Sequence, residues 1–364
     1  MRLFFVAGVV LLAFAGLFSG LSVAQTSSGT SDPPAKNPVP GAVVAGSTIA
    51  LRVSSTMNVA SEMGGAFLGH SKCDADGSLY IPKYARDRPR LGPVVKIDPD
   101  GKRSALFDPA AFTQLGLDRA YGFSPASDGG MYQLAQSGVL KPRIYVLQYS
   151  ADGSPSSSTL LDAEFEAYTF AAFAEGNFLV SGMKRDLQNK SDRGRNFTAV
   201  FSADGRELAE LSFQEPQESA KAQPGKANRA GAEKPSPTLD LAEAEVGSDG
   251  YLYVMRFSSP ALVYVIASSG KIMKTIKVAS VLEDALPSGF HVSGNQMALS
   301  FWNENKQRQT VVVADGQTGR RIASYADAGG LGPSFACFSA NDGVFTFLNL
   351  GEGNALEVIR AEAR

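Results

Sequence analysis

An all-β fold is what this sequence predicts, on three observations. A turn glycine followed at once by an apolar and aromatic strand recurs at Gly77, Gly129, Gly176, Gly250, Gly294 and Gly343, with spacings of 52, 47, 74, 44 and 49 residues. A second glycine turn closes most of these units, at Gly101, Gly153, Gly205, Gly270 and Gly319, each after a run of alternating apolar residues. No stretch carries a helical period, and no G-x-G-x-x-G follows a strand, which disfavours an α/β nucleotide-binding fold. Strand, turn, strand, loop, strand, turn, strand in about 45 to 50 residues is the signature of a propeller blade. The expectation is therefore a six-bladed β-propeller of four-stranded antiparallel blades.

Taken in chain order, the elements begin with an export signal. Met1 and Arg2 are followed by an uncharged apolar run from Leu3 to Leu21, and Ser22-Val23-Ala24 offers small residues where a signal peptidase reads. Residues 1–24 are expected to be a cleaved leader, and residues 25–46, rich in Ser, Thr, Gly and Pro, a disordered tether. The propeller should then occupy 47–364. Ile49, Leu51 and Val53 alternate with Ala50 and Arg52, so 47–54 is a strand, and the sixth unit ends one strand short. That N-terminal strand is expected to close the last blade and remove the edges an open ring would expose. The one long spacing has its own cause. Residues 214–238 contain no Val, Ile, Leu, Phe or Tyr, cannot offset their ordering entropy, and are expected to be a disordered insertion between blades three and four.

The run from Gly122 to Tyr132 (Gly-Phe-Ser-Pro-Ala-Ser-Asp-Gly-Gly-Met-Tyr) and the run from Arg143 to Gly153 (Arg-Ile-Tyr-Val-Leu-Gln-Tyr-Ser-Ala-Asp-Gly) resemble the blade pattern of NHL-type and TolB-like six-bladed propellers of exported bacterial proteins. The resemblance implies a ring shared by binding modules, structural repeats and, more distantly, lactonases, so it speaks to fold more than to function. It also implies where a metal would sit in a lactonase-like relative, on carboxylates entering the innermost strands. Glu166, Asp240, Glu243 and Asp284 are the residues here that match, and calcium is the cofactor such a site would take. Solvated acidic loops are the plainer expectation for them, with no metal and no cofactor.

Composition narrows the rest. With 34 Lys and Arg against 36 Asp and Glu, no global positive field exists to hold nucleic acid. Two His and two Cys cannot build a zinc site of the usual kind without carboxylates. No G-x-S-x-G elbow, H-E-x-x-H helix or P-loop occurs in the mature chain, so binding rather than catalysis is expected. His70 and His291 fall on expected innermost strands and read as hydrogen-bonded structural residues. Phe123, Phe170, Phe290, Phe335 and Phe338 read as packing between blades. Asp74-Ala75-Asp76-Gly77 and Asp98-Pro99-Asp100-Gly101 look like the start of a calcium loop but lack its distal ligands, and read as turns. Cys73 and Cys337 lie on innermost strands of blades one and six, neighbours once the ring closes, where export permits a disulfide.

Charge is distributed unevenly. The loops joining the second and third strands of each blade open on one face, and they carry fourteen cations against five carboxylates. Arg86, Arg88, Arg90, Arg143, Arg185, Arg193, Arg195 and Arg308, with Trp302 as an aromatic platform, form the expected ligand-binding set. The expectation is a secreted or periplasmic monomer that binds a protein or an anionic carbohydrate or envelope polymer through this face. A metal-dependent lactonase or arylesterase-like hydrolase with a central site is the alternative.

Overall fold

The structure is a computed structural model and describes residues 48–67, 69–139, 141–185, 192–211, 239, 241–352 and 355–363. All of these belong to one compact unit, Val44–Arg364. The expected leader over 1–24, tether over 25–46 and insertion over 214–238 lie outside the described residues. No described helix is long and apolar enough to cross a membrane.

Strand β1 (Ile49–Asn58) leads through a single helical turn, α1 (Ala60–Met63), into the first sheet. That sheet has the order β2 (Lys72–Cys73), β3 (Leu79–Pro82), β4 (Val94–Ile97), β5 (Arg103–Phe107). Three further four-stranded sheets follow in chain order: β6 (Leu117–Pro125) to β7 (Met131–Ser137), β8 (Arg143–Tyr149) and β9 (Pro155–Leu160); β10 (Glu166–Ala172) to β11 (Phe178–Lys184), β12 (Arg195–Phe201) and β13 (Glu207–Glu210); β14 (Ala244–Val246) to β15 (Leu252–Arg256), β16 (Ala261–Ile266) and β17 (Ile272–Val278). The remaining strands are β18 (Leu286–Ser293), β19 (Gln296–Asn303), β20 (Arg308–Asp315), β21 (Arg321–Asp327), β22 (Ser334–Ser339), β23 (Val344–Leu350) and β24 (Leu356–Ala363). Together with β1 they make an eight-stranded sheet ordered β18-β19-β20-β21-β1-β24-β23-β22.

The fold is an all-β propeller with four-stranded antiparallel blades. The first strands pack in a closed circuit: β2 on β6, β6 on β10, β10 on β14, β14 on β18, β18 on β22, and β22 back on β2. Apolar clusters fill the spaces between consecutive sheets. Tyr80, Phe107, Phe112, Phe123 and Tyr149 pack between the first and second, and Phe165, Phe170, Phe178, Phe197 and Phe201 between the second and third. Phe290 packs with Met255, Val263 and Phe301, while Phe335 and Phe338 pack with Phe345 and Phe347. The five phenylalanines expected to pack between blades are all buried there. A cluster of Val59, Ile81, Cys73, Cys337 and Val358 joins the end of the circuit to its start.

The glycines of the outer turns do more than supply a positive φ. Gly205 sits at φ +91°, and a Cβ there would overlap the carbonyl of Leu160, the last residue of the preceding sheet's outermost strand. Gly153 meets the backbone of Leu106 on β5 in the same way. These two turns thus seat on the neighbouring sheet's rim, where only a bare Cα fits. Asp74 and Asp100 serve as turn acceptors, Asp74 Oδ1 taking the N–H of Asp76 at 3.1 Å and of Ser78 at 2.9 Å, Asp100 Oδ1 that of Lys102 at 3.3 Å.

Strand β1 pairs antiparallel with β24, from Leu51 opposite Ala363 to Asn58 opposite Glu357. It runs four residues beyond the expected 47–54, and a register shift between Val53 and Ser55 turns its faces. Leu51 is accordingly buried, whereas Ile49 is half-buried and Val53 exposed, so the inward alternation read from the sequence holds at one of its three positions. The sequence also left unread a second pairing, of Ile49, Ala50 and Leu51 in parallel with Tyr325, Ala326 and Asp327 of β21. Cys73 on β2 and Cys337 on β22 are disulfide-bonded, with Cα atoms 6.1 Å apart, inside the usual span for such a bridge.

Candidate functional site

Because successive strands in each sheet run in opposite directions, the loops between second and third strands share one end of the fold with the connections between sheets. This loop face holds the expected arginines, and the structure separates them into two groups. Arg88 forks onto Asp108, Nη2 to Oδ2 at 2.7 Å, and that hydrogen bonding raises the guanidinium's pKa further. Burial pushes the Asp108 carboxyl up, but the Arg88 hydrogen bonds, the Ala110 N–H and the Arg88 and Lys83 charges together hold it below the usual carboxylate range. Arg195 likewise forks onto Glu210, which also receives Lys184 at 3.3 Å, and the hydrogen bond from Arg195 is the main cause of that carboxyl's lowered pKa. Arg143 lies over the Tyr145 ring at 5.5 Å. Arg86, Arg90, Arg185, Arg193 and Arg308 are exposed, and their side chains make no hydrogen bond or ion pair among the described residues. The partners Asp108, Glu207 and Glu210 come from a connection and an outermost strand, outside the loops whose charges the sequence reading weighed. Trp302 belongs to β19, paired between Leu286 and Gln309, and is half-buried instead of opening the following loop.

The carboxylates considered for a metal do not converge. Glu166 is exposed at the start of β10, Asp284 is exposed at φ +55° in the connection before β18, and Asp240 lies outside the described residues. Among the described residues no three His, Cys, Asp or Glu side chains gather into a metal site. Glu243 is at the axis, where Oε1 lies 2.6 Å from His70 Nδ1 and Oε2 accepts the Phe290 N–H at 3.1 Å. His70 stands two residues before β2, half-exposed, and not on the strand where it was expected. His291 is on β18 as expected, buried, with Nδ1 accepting the Phe338 N–H at 3.3 Å.

Two axial residues were missed by the sequence reading. Lys72 is 3% exposed, and its Nζ donates to the Ala244 carbonyl at 2.6 Å. In the circuit of first strands, β2 and β14 are separated by two strands on either side, so Lys72 and the His70–Glu243 pair both span the ring. Glu245, half-buried beside Glu243, has its carboxyl pushed up to about 7, mainly by burial, with Lys72 opposing and Glu243 adding. Burial pushes His291 down to about 4, and the Lys72 charge adds to it. A lysine on a two-residue strand gives no pattern to read; only its burial against the far side of the ring marks it.

Two cavities open on the loop face beside this axis. One, of about 270 Å3, is lined by His70, Lys72, Lys83, Arg90, Tyr121 and Gln133, with Pro82, Pro89, Val94, Ala120 and Phe123 supplying its apolar wall. The other, of about 490 Å3, is lined by Lys83, Arg86 and Arg88 together with Asp87 and Asp108, so its charges are largely balanced.

No known family profile matches this chain, and no curated protein does. Solved structures do show similarity. A protein of unknown function from Bacteroides caccae is 12% identical, over 71% of this chain and 81% of its own, with a TM-score of 0.43. A putative oxidoreductase (glucose dehydrogenase) from Thermus thermophilus is 13% identical, over 86% and 99%, with a TM-score of 0.43. The Pan2 WD40 domain of Neurospora crassa is 9% identical, over 87% and 97%, with a TM-score of 0.45. At these values none of them bears on what this chain binds.

Proposed function

We propose that this chain is an exported, monomeric six-bladed propeller of NHL-type or TolB-like character that binds an anionic carbohydrate or envelope polymer through its loop face. Six blades are supported by the circuit of six first strands, with β1 counted as the outermost strand of the last blade and its pairing with β21 as a seam between the last two. Export rests on the leader read over 1–24. The observation that carries the binding role is the set of Arg86, Arg90, Arg185, Arg193 and Arg308, exposed on one face and without a protein counter-ion among the described residues. Guanidinium forks suit carboxylate and sulfate oxygens, and several weak, screened contacts add up along a polymer. The hydrolase alternative has less support, because Glu243 is engaged by His70 and Phe290 while Glu166 and Asp284 stand apart from it.

The test is binding of an acidic polysaccharide at low and high salt by the wild type and by a variant carrying Arg86→Ser, Arg185→Ser, Arg193→Ser and Arg308→Ser. Affinity is expected to fall with salt and with the substitutions. Binding indifferent to both would remove the rim from the function.

A further inference from the structure

We infer that the 270 Å3 cavity beside the axis is a binding site for a single sugar acid, a ring-sized organic carboxylate held by Arg90 and Gln133. This deepens the loop-face reading by naming a ligand, and it rests on side chains of which only Arg90 belongs to the rim.

The electrostatics come first. Lys72, Lys83 and Arg90 share the lining, and no Asp or Glu is among the described residues that form it. The Lys83 ammonium lies against Gly64 and acts on Asp108 in the other cavity, and Lys72 donates to the Ala244 carbonyl while keeping its charge; Arg90 has no counter-ion among the described residues. Like charges focused into one concave, partly dry space repel each other and attract an anion more strongly than the same charges on an open surface.

The wall then selects the anion's body. Gln133 is 2% exposed; its Oε1 accepts the Tyr149 hydroxyl at 3.1 Å, and its amide nitrogen donates to no group among the described residues. That nitrogen is not among the fully buried atoms left without a partner, so it opens onto the cavity, where a ligand or water can accept from it. Opposite in character, Pro82, Pro89, Val94 and Phe123 offer an apolar surface that inorganic phosphate cannot use. Charge on one side, an amide donor, and an apolar wall match a sugar ring bearing a carboxylate.

The backbone shapes this space. In β6 two residues, Tyr121 and Gly122, oppose the single residue Leu134 of β7, and the bulge carries four consecutive lining residues, Ala120 to Phe123. The Ala120 N–H donates to the Arg90 carbonyl at 2.7 Å, which ties the bulge to the loop that presents the arginine. Bulges of this kind re-aim strand residues beside binding sites.

Calorimetric titration of the full chain with D-glucuronate, with D-glucose and inorganic phosphate as controls, tests the assignment. One saturable site for glucuronate is expected, with glucose and phosphate at least tenfold weaker. Arg90→Ala, at the surface and outside the core, should weaken glucuronate at least tenfold, while the fourfold rim variant leaves it unchanged. No saturable glucuronate binding, phosphate binding as tight, or unchanged affinity in Arg90→Ala would overturn the site. Polymer binding lost in the rim variant with glucuronate retained would separate the two readings; glucuronate lost there too would place the ligand on the rim and overturn the cavity.

Discussion

Lys72 and Ala244, 172 residues apart in sequence, meet across the ring axis, where the lysine ammonium donates to the alanine carbonyl at 2.6 Å. A buried ammonium needs compensation, and here the Ala244 carbonyl provides it. Replacing Lys72 by Met should leave that carbonyl without its donor and cost about 1 to 3 kcal/mol. Urea unfolding should show a lower midpoint with an unchanged slope; an unchanged midpoint would mean that the contact adds no stability.

Acid and base act in opposite senses on two axial groups. The native His291 resists protonation until about 4, whereas its unfolded value is 6.5, so its contribution is lost as pH falls from about 6.5 towards 4. Glu245 keeps its proton up to about 7 against 4.5 when unfolded, so its contribution is lost as pH rises from about 4.5 to 7. Over the shared window the two offset each other. In Glu245→Gln the unfolding midpoint should therefore fall on acidification, and in His291→Asn it should fall as pH rises. Slopes of the same sign in both variants would contradict the assignment; Lys72, His70 and Glu243 face the same space and are left in place.

Reduction of Cys73–Cys337, or Cys73→Ser with Cys337→Ser, should lower stability by about 2 to 5 kcal/mol, because the bridge closes a loop of 264 residues. Thiol counting on protein denatured without reductant checks the bond directly, and two free thiols would refute it.

Deleting β1 should yield aggregating or unfolded protein. Its removal uncovers the edges of β21 and β24 and strips Leu51 from Val311, Phe345 and Ile359. A deletion variant that melts as the wild type and stays monomeric would show that the edges close without it.

The repeat was legible because its glycines are required by local backbone geometry, which leaves a mark at every turn: Gly77, Gly129 and Gly250 all carry positive φ. The pairing of Cys73 with Cys337 was legible once the ring was assumed, since closure alone makes β2 and β22 neighbours. The axis was not legible. His70, Lys72, Glu243 and Glu245 meet through contacts between strands far apart in sequence, and β2 and β14 are too short to show an alternation. The rim was half legible: the arginines were found, but whether Arg88 or Arg195 is spent on a carboxylate depends on Asp108 and Glu210, which arrive from other elements.

The pairing of β1 with β24 also fixes how the fold meets mechanical load. Leu51 faces Ala363 and Asn58 faces Glu357, so the start of one strand and the finish of the other leave from the same corner. Tension between the two ends of the chain would peel these bonds one at a time, a weak geometry compared with shearing them all together. The tear would then stop at Cys73 and Cys337, because everything between them is a covalently closed loop that pulling cannot lengthen. β1, α1, β23 and β24 lie outside that loop and are the parts that yield, while the strands between the two cysteines hold.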